Sequence, residues 1–309
     1  MRPYPLIALL ALGLALPATA QIVQKVASDT APAVANYLEN VRGAVPPIGN
    51  AGYEWHDTHD FENGEGTADF WVAELRMPYF YKELGNGGRL ALSVDYSYTN
   101  LEVASSEFSW DGQLHGLYLP ISYTHRDPAS QWFWLAQVAP GLRTDFESIS
   151  SDDFAFRAFV TAIRGYGKNF TLGYGVFLSY DVDELFVVPG IGFTWKPAED
   201  WLVALIPPQL TLSYEPSDDW AFSLYARPRS FLADIDEGPA GPDIAEVKYG
   251  KLAFSAKHRL LDSPHVWLNL SVGYTLYSEV EFQRGGQSLV EGDLDQGFFA
   301  GASIELLGW

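Results

Sequence analysis

From about residue 52 onward the side chains alternate between apolar and polar, and the alternating runs are long. Over 89–100, Leu90, Leu92, Val94, Tyr96 and Tyr98 take one face. Arg89, Ala91, Ser93, Asp95, Ser97 and Thr99 take the other. Over 170–181, Phe170, Leu172, Tyr174, Val176, Leu178 and Tyr180 stand against Thr171, Gly173, Gly175, Ser179 and Asp181. Leu252, Phe254, Ala256, His258 and Leu260 likewise oppose Lys251, Ser255, Lys257 and Arg259. A period of two is the signature of a strand. Strands in soluble sheets usually run about five or six residues, whereas one crossing a bilayer at a tilt near 45° needs about 9–11. Several runs here are that long, and their polar face carries Arg, Asp and Lys in mid-strand. That pattern predicts an all-β, transmembrane, antiparallel up-and-down β-barrel, with the apolar face toward lipid and the polar face toward a wet lumen.

Composition agrees. The 309 residues include no cysteine, which excludes disulfides, zinc-thiolate sites and cysteine nucleophiles. Nineteen Lys+Arg against 39 Asp+Glu give a net charge of −20, the wrong sign for a nucleic-acid partner. Aromatics make up 15% of residues and charged residues 19%, with mean hydropathy of −0.03. A helical membrane protein would need long apolar runs, and past the N-terminus there are none.

Residues 1–20 read as a secretory signal peptide: Arg2, an apolar stretch over 6–16, and Pro17-Ala18-Thr19-Ala20 as the cleavage site. Residues 21–50 read as a short helix and linker, periplasmic or plugging, with Ala33, Val34, Tyr37, Leu38 and Val41 at helical spacing. Residues 51–309 form the barrel. The expected setting is the outer membrane of a Gram-negative bacterium. Its partners there are the lipid bilayer, lipopolysaccharide, the machinery that inserts barrels, and a small solute.

Three connections share one pattern: Asp127-Pro128-Ala129-Ser130-Gln131-Trp132, Lys196-Pro197-Ala198-Glu199-Asp200-Trp201 and Glu215-Pro216-Ser217-Asp218-Asp219-Trp220. Proline fixes the turn, a short polar side chain caps it, and a Trp opens the next strand. Aromatics bracketing short turns predict a girdle at a membrane interface. The stretches 102–111, 143–153, 229–246 and 281–295 are acidic and read as four long outer loops. Counting runs gives 12–14 strands, with 200–207 and 209–215 short for spanning. The chain closes on an alternating strand over 296–308 and a terminal Trp309, which is similar to the insertion signal of outer-membrane barrels.

The stretch 75–229 resembles an uncharacterised family of bacterial outer-membrane β-barrels, known only as a domain of unknown function. The resemblance lies in Leu75-Arg76-Met77-Pro78, in Pro140-Gly141-Leu142 through Ser150-Ser151-Asp152-Asp153-Phe154, and in the paired Trp195-Lys196-Pro197 and Tyr214-Glu215-Pro216 turns. It implies location and architecture, and no activity or site residue.

No catalytic, cofactor or metal site emerges. His56 and His59, three apart on a strand, point to opposite faces. His115 and His125 lie roughly 33 Å apart along one extended strand, and no Gly-x-Ser-x-Gly motif accompanies them. The expected lumen-lining residues are Glu74, Arg76, Arg89, Asp95, Arg227, Arg229, Lys251, Lys257, Arg259 and Glu305. Phe70, Phe80, Phe177 and Tyr225 are expected to face inward with them. The functional expectation is a porin-like or solute-specific channel, not an enzyme, with a charged constriction. The alternatives are a structural barrel with a filled lumen, a membrane-embedded lipid-modifying hydrolase and a soluble exported β-protein.

Overall fold

The computed structural model describes residues 47–306, apart from 63, 65, 86, 106–107, 128–131, 182–183, 237–240 and 262–265. The signal peptide and the helix of the N-terminal segment lie outside these residues, as does the Pro128 turn. The strands are β1 (Gly49–His56), β2 (His59–Asp60), β3 (Gly66–Gly85), β4 (Gly88–Ser105), β5 (Ser109–Tyr118), β6 (Ile121–Asp127), β7 (Trp132–Thr144), β8 (Phe154–Tyr166) and β9 (Phe170–Asp181). They continue with β10 (Glu184–Ala198), β11 (Trp201–Ile206), β12 (Gln209–Ser217), β13 (Trp220–Asp234), β14 (Ile244–Arg259), β15 (Val266–Arg284), β16 (Gln287–Leu294) and β17 (Phe298–Leu306).

These segments form one closed sheet. β1 pairs antiparallel with both β17 and β3, so the last strand meets the first. Three staves consist of two segments each. Leu119-Pro120 divides β5 from β6, both of which pair with β4 and β7. β16 and β17 follow one another along β15, and β2 continues β1 along β3. The barrel therefore has 14 staves, the upper end of the expected range.

The outside carries the lipid-facing belt. On β9, Tyr174 and Val176 are exposed; Leu210, Leu224, Phe254, Leu270 and Val272 continue the belt. The Trp turns sit at the end where the paired Gly49 and Leu306 lie. Trp195, Trp201, Tyr214 and Trp220 are exposed there, Trp201 lies 4.9 Å from Tyr214, and Trp220 stacks on His258 at 4.3 Å.

Two of the four expected long loops exist, over 145–153 and 235–243. The others are strand. The ladder of β4 with β5 continues to Ala104↔Ser109, and β15 and β16 form a hairpin turning at Gly285-Gly286. The reason is an inversion of the alternation. On β4 the outward residues are apolar up to Tyr98; beyond Asn100 the inward Leu101 and Val103 are fully buried and Glu102 faces out. β14 inverts at Gly250: Lys251 points inward below it, and above it the inward residues are Tyr249, Val247 and Ala245. β15 inverts likewise, with Val280 and Phe282 inside and Glu279 and Glu281 out. A strand leaving hydrocarbon for water must turn its polar side chains outward. The acidic residues thus mark wet outer walls.

The inverted segments pack together as a cap. Phe70, Leu101, Trp110, Leu114, Val247 and Phe282 are among the members of one buried cluster across β3, β4, β5, β14 and β15. A bulge between Pro78 and Phe80 shifts β3 by one residue, so Phe80 pairs with outward Leu92 and does not face the lumen.

Two substitutions separate belt from wall. Val176→Arg should lower unfolding stability in lipid vesicles by about 2–4 kcal/mol. Glu281→Arg, on the outward face beyond the inversion, should stay within about 0.5 kcal/mol.

Candidate functional site

The inward face below the cap holds a polar cavity of about 200 Å³, lined from β1, β3, β12, β13, β14, β15 and β17. Pro47 and Asn50, at the start of β1, line one part of it, and Glu54, Arg229 and Lys251 are among the other lining residues. Gln209, Ser223, Tyr225, Ser255, Asn269 and Ser271 supply neutral polar wall.

Charges in this wall are mostly paired, because an unpaired charge in a confined interior is costly. Glu74 takes Arg229 at 2.5 Å. Lys251, 4% exposed at its side chain, donates to Glu54. Lys257 Nζ donates to Glu305 at 2.7 Å, and Asn269 Nδ2 donates to the other oxygen of that carboxylate at 2.8 Å. Arg76 Nε donates to both oxygens of Asp95 at 3.0 Å. Arg89 lies 3.4 Å from Glu83 near the Gly85–Gly88 turn, and Arg259 pairs with Asp219 at the turn rim. Arg227 lines the same cavity, and no ion pair joins it to a carboxylate among the described residues. Of the ten residues expected in the lumen, six line this cavity: Glu74, Arg227, Arg229, Lys251, Lys257 and Glu305. Arg76 and Asp95 form a separate pair, and Arg89 and Arg259 sit at the rim.

Glu54 and Tyr249 escaped the sequence reading. The alternation Gly52, Glu54, His56 against Tyr53 and Trp55 carried the signal for Glu54. Tyr249 was hidden by the inversion at Gly250.

An aromatic layer forms the side of the cap that faces the charges. His56 and His59 are both 1% exposed, and their rings lie 6.2 Å apart. Residues 57–58 leave the strand, which lets both rings turn into the same interior, contrary to strict alternation. Phe70 stacks on His56 at 4.0 Å and on His59 at 5.6 Å; Tyr249 meets His56 edge-on at 5.0 Å. His56 Nε2 donates to Glu54 at 3.0 Å, and His59 Nδ1 donates to the Asp295 carbonyl at 2.7 Å. Among the described residues, His56 Nδ1 and His59 Nε2 have no hydrogen-bond partner. No cluster of three metal-ligating side chains occurs among the described residues.

On the lipid side, His115 Nδ1 shares a 2.7 Å hydrogen bond with the Tyr96 hydroxyl. His125 stacks with Tyr123, and His258 Nδ1 donates to the Asp219 carbonyl at 3.2 Å. No Ser or Thr hydroxyl is hydrogen-bonded to an imidazole among the described residues, so the pairing that nucleophilic catalysis needs is not formed there.

A family model described as Domain of unknown function (DUF6268) matches residues 48–291. No curated protein matches the chain. Among solved structures, the Pseudomonas putida toluene transporter TodX is similar at 10% identity and a TM-score of 0.44, over 89% of this chain and 93% of that one. The COG4313 outer membrane channel from Pseudomonas putida F1 is similar at 8% identity and 0.43, over 84% and 97%. The NanC porin is similar at 9% identity and 0.35, over 84% and 98%.

Lys251→Met should destabilise the barrel by about 3–5 kcal/mol, because it strands the Glu54 carboxylate in a buried site. Glu54→Gln with Lys251→Met should recover most of that loss in urea titrations of the vesicle-embedded protein. Equal losses in the single and double variants would contradict the pairing.

Proposed function

The chain belongs to the DUF6268 family, a domain of unknown function, and we propose that it is a porin-like outer-membrane channel for a small solute, with a weak preference for anions. The observation that carries this reading is a polar cavity inside a closed barrel whose outer surface is apolar. Among its lining residues are two carboxylates, Glu54 and Glu74, set against three cations, Arg227, Arg229 and Lys251. The surplus of one positive charge rests on Arg227. In a narrow pore a ring of that sign favours anions. The setting we propose is the outer membrane of a Gram-negative bacterium, reached after export, with lipopolysaccharide against the acidic outer walls and the insertion machinery acting on the last strand.

The buried cap favours a second reading, in which the lumen is filled and the barrel is structural. Cap and cavity together support a gated channel, polar on the side of Gly49 and Leu306 and packed with side chains on the other.

Planar-bilayer recording separates the two readings. Under a tenfold potassium chloride gradient, the wild type should show small discrete currents with a reversal potential of the anion-preferring sign. Arg227→Glu turns the surplus from +1 to −1 and should reverse that sign, and Phe282→Ala, which loosens the cap, should raise the conductance. Silence at every voltage in both wild type and Phe282→Ala would overturn the channel reading in favour of the filled barrel.

A further inference from the structure

The barrel wall has a window. β11 covers only Trp201–Ile206, roughly 20 Å of strand, which climbs roughly 14 Å at a tilt near 45°. The apolar band of such barrels is about 25 Å tall. The β11–β12 hairpin therefore ends inside the hydrocarbon. Above it, β10 has β11 as a partner only from Phe193 to Ala198, and β13 has β12 only from Trp220 to Ala226. The facing edges, 184–192 on β10 and 227–231 on β13, make no ladder pairing across the gap among the described residues. The wall closes again at Asp234↔Thr144, a parallel bridge between β13 and β7, where Arg143 Nη1 donates to the Leu232 carbonyl at 3.1 Å.

Open strand edges do not persist against lipid unless something lines them. Here prolines stand on three sides of the frame: Pro189 on β10, Pro228 on β13, and Pro207-Pro208 at the hairpin tip. Proline removes a backbone donor and resists pairing with another strand, so the frame is unsuited to a second copy of the chain.

The β10 side of the window is apolar on both faces. Leu185, Phe186, Val187 and Val188 are consecutive, and each is more than half exposed. Leu185 and Val187 belong to the outer belt. Phe186 and Val188 pair with Ser179 and Phe177 on the inward face, where Phe177 is 40% exposed. Next to them, Gly190 pairs with Gly175 and Gly192 with Gly173, leaving a flat floor. A side chain at Gly190 would meet only the Pro207 ring, at 3.8 Å. Arg157 lies on the same inward face through Arg157↔Ser179↔Phe186, its guanidinium over the Tyr118 ring at 4.1 Å, and Arg227 begins the open edge of β13.

We propose that this window is a lateral portal through which an anionic amphiphile, with an aliphatic tail and a single acidic head, exchanges between the outer leaflet and the lumen. The tail lies on Phe177, Phe186 and Val188, and the head is held by Arg157 and Arg227. This deepens the channel reading and rests on it, since the sealed cap leaves the window as the outer opening.

The chain has no cysteine, so a single Val188→Cys accepts one environment-sensitive fluorophore, with Phe186→Cys as a second position. Each variant is reconstituted in nanodiscs, its fold checked by heat-modifiable gel migration, and titrated with sodium dodecanoate. Val176→Cys, on the lipid-facing side of β9, serves as the reference. A saturable response at 188 or 186 and none at 176 is expected. Arg157→Gln with Arg227→Gln should raise the half-saturation concentration about tenfold, and dodecyltrimethylammonium should bind about tenfold more weakly than dodecanoate. An unsaturable response of equal size at 176 and 188 reports partition into lipid only and overturns the portal. So does a response that follows protein concentration instead of dodecanoate, as pairing of two copies would give. Ion current measured on the same preparations keeps the two claims apart. Current without saturable binding removes the portal and leaves the channel; saturable binding without current overturns the channel, and with it the passage, and leaves the shelf as a binding site alone.

Discussion

Hydrocarbon offers no partner to a peptide N–H or carbonyl, and that single fact organises this molecule. A sheet survives in lipid only if its first and last strands meet. Here β1 meets β17 in register from Gly49↔Leu306 to His56↔Phe299. Closure fixes which face of each strand is outside. The alternation of the sequence then assigns every side chain to lipid or to the interior. Where one wall is too short to meet the rule, at β11 and β12, prolines stand around the gap.

The same rule, applied a second time, explains the interior. Within the membrane band the outward face must be apolar, and the inward face can be polar. Above the band the outward face meets water, and the apolar residues move inside. The strands therefore build a membrane barrel at one end and a small packed core at the other. His56, His59, Phe70 and Tyr249 lie at the join. Glu54 touches both regimes, through Lys251 on the polar side and His56 on the aromatic side.

Much of this was legible in the residues. The runs over 89–100 and 170–181 mark spanning strands, and the Pro–Asp–Trp turns mark the girdle. The short strands at 200–207 and 209–215 were visible too, though not as the low side of a window. What could not be read was any phase change within a strand. Glu102 and Glu281 read as loop because acidic residues usually are solvated, and solvated they are, on the outer faces of strands. Phe80 was misplaced by a one-residue bulge, which flips a face and leaves no mark in composition. His56 and His59 were assigned opposite directions by a parity rule that residues 57–58 break. Pairing partners such as Glu54 with Lys251, 197 residues apart, depend on closure, and no local pattern encodes them.

The central claim is that one face of each alternating run contacts hydrocarbon and its neighbours do not. A nitroxide scan of single cysteines over 90–99, with collisional relaxation by dissolved oxygen and by a water-soluble nickel chelate, addresses it directly. Oxygen accessibility should peak at positions 90, 92, 94, 96 and 98 and fall at 91, 93, 95, 97 and 99. Equal oxygen accessibility at both sets, or a maximum at the second, would mean that these strands do not line a bilayer.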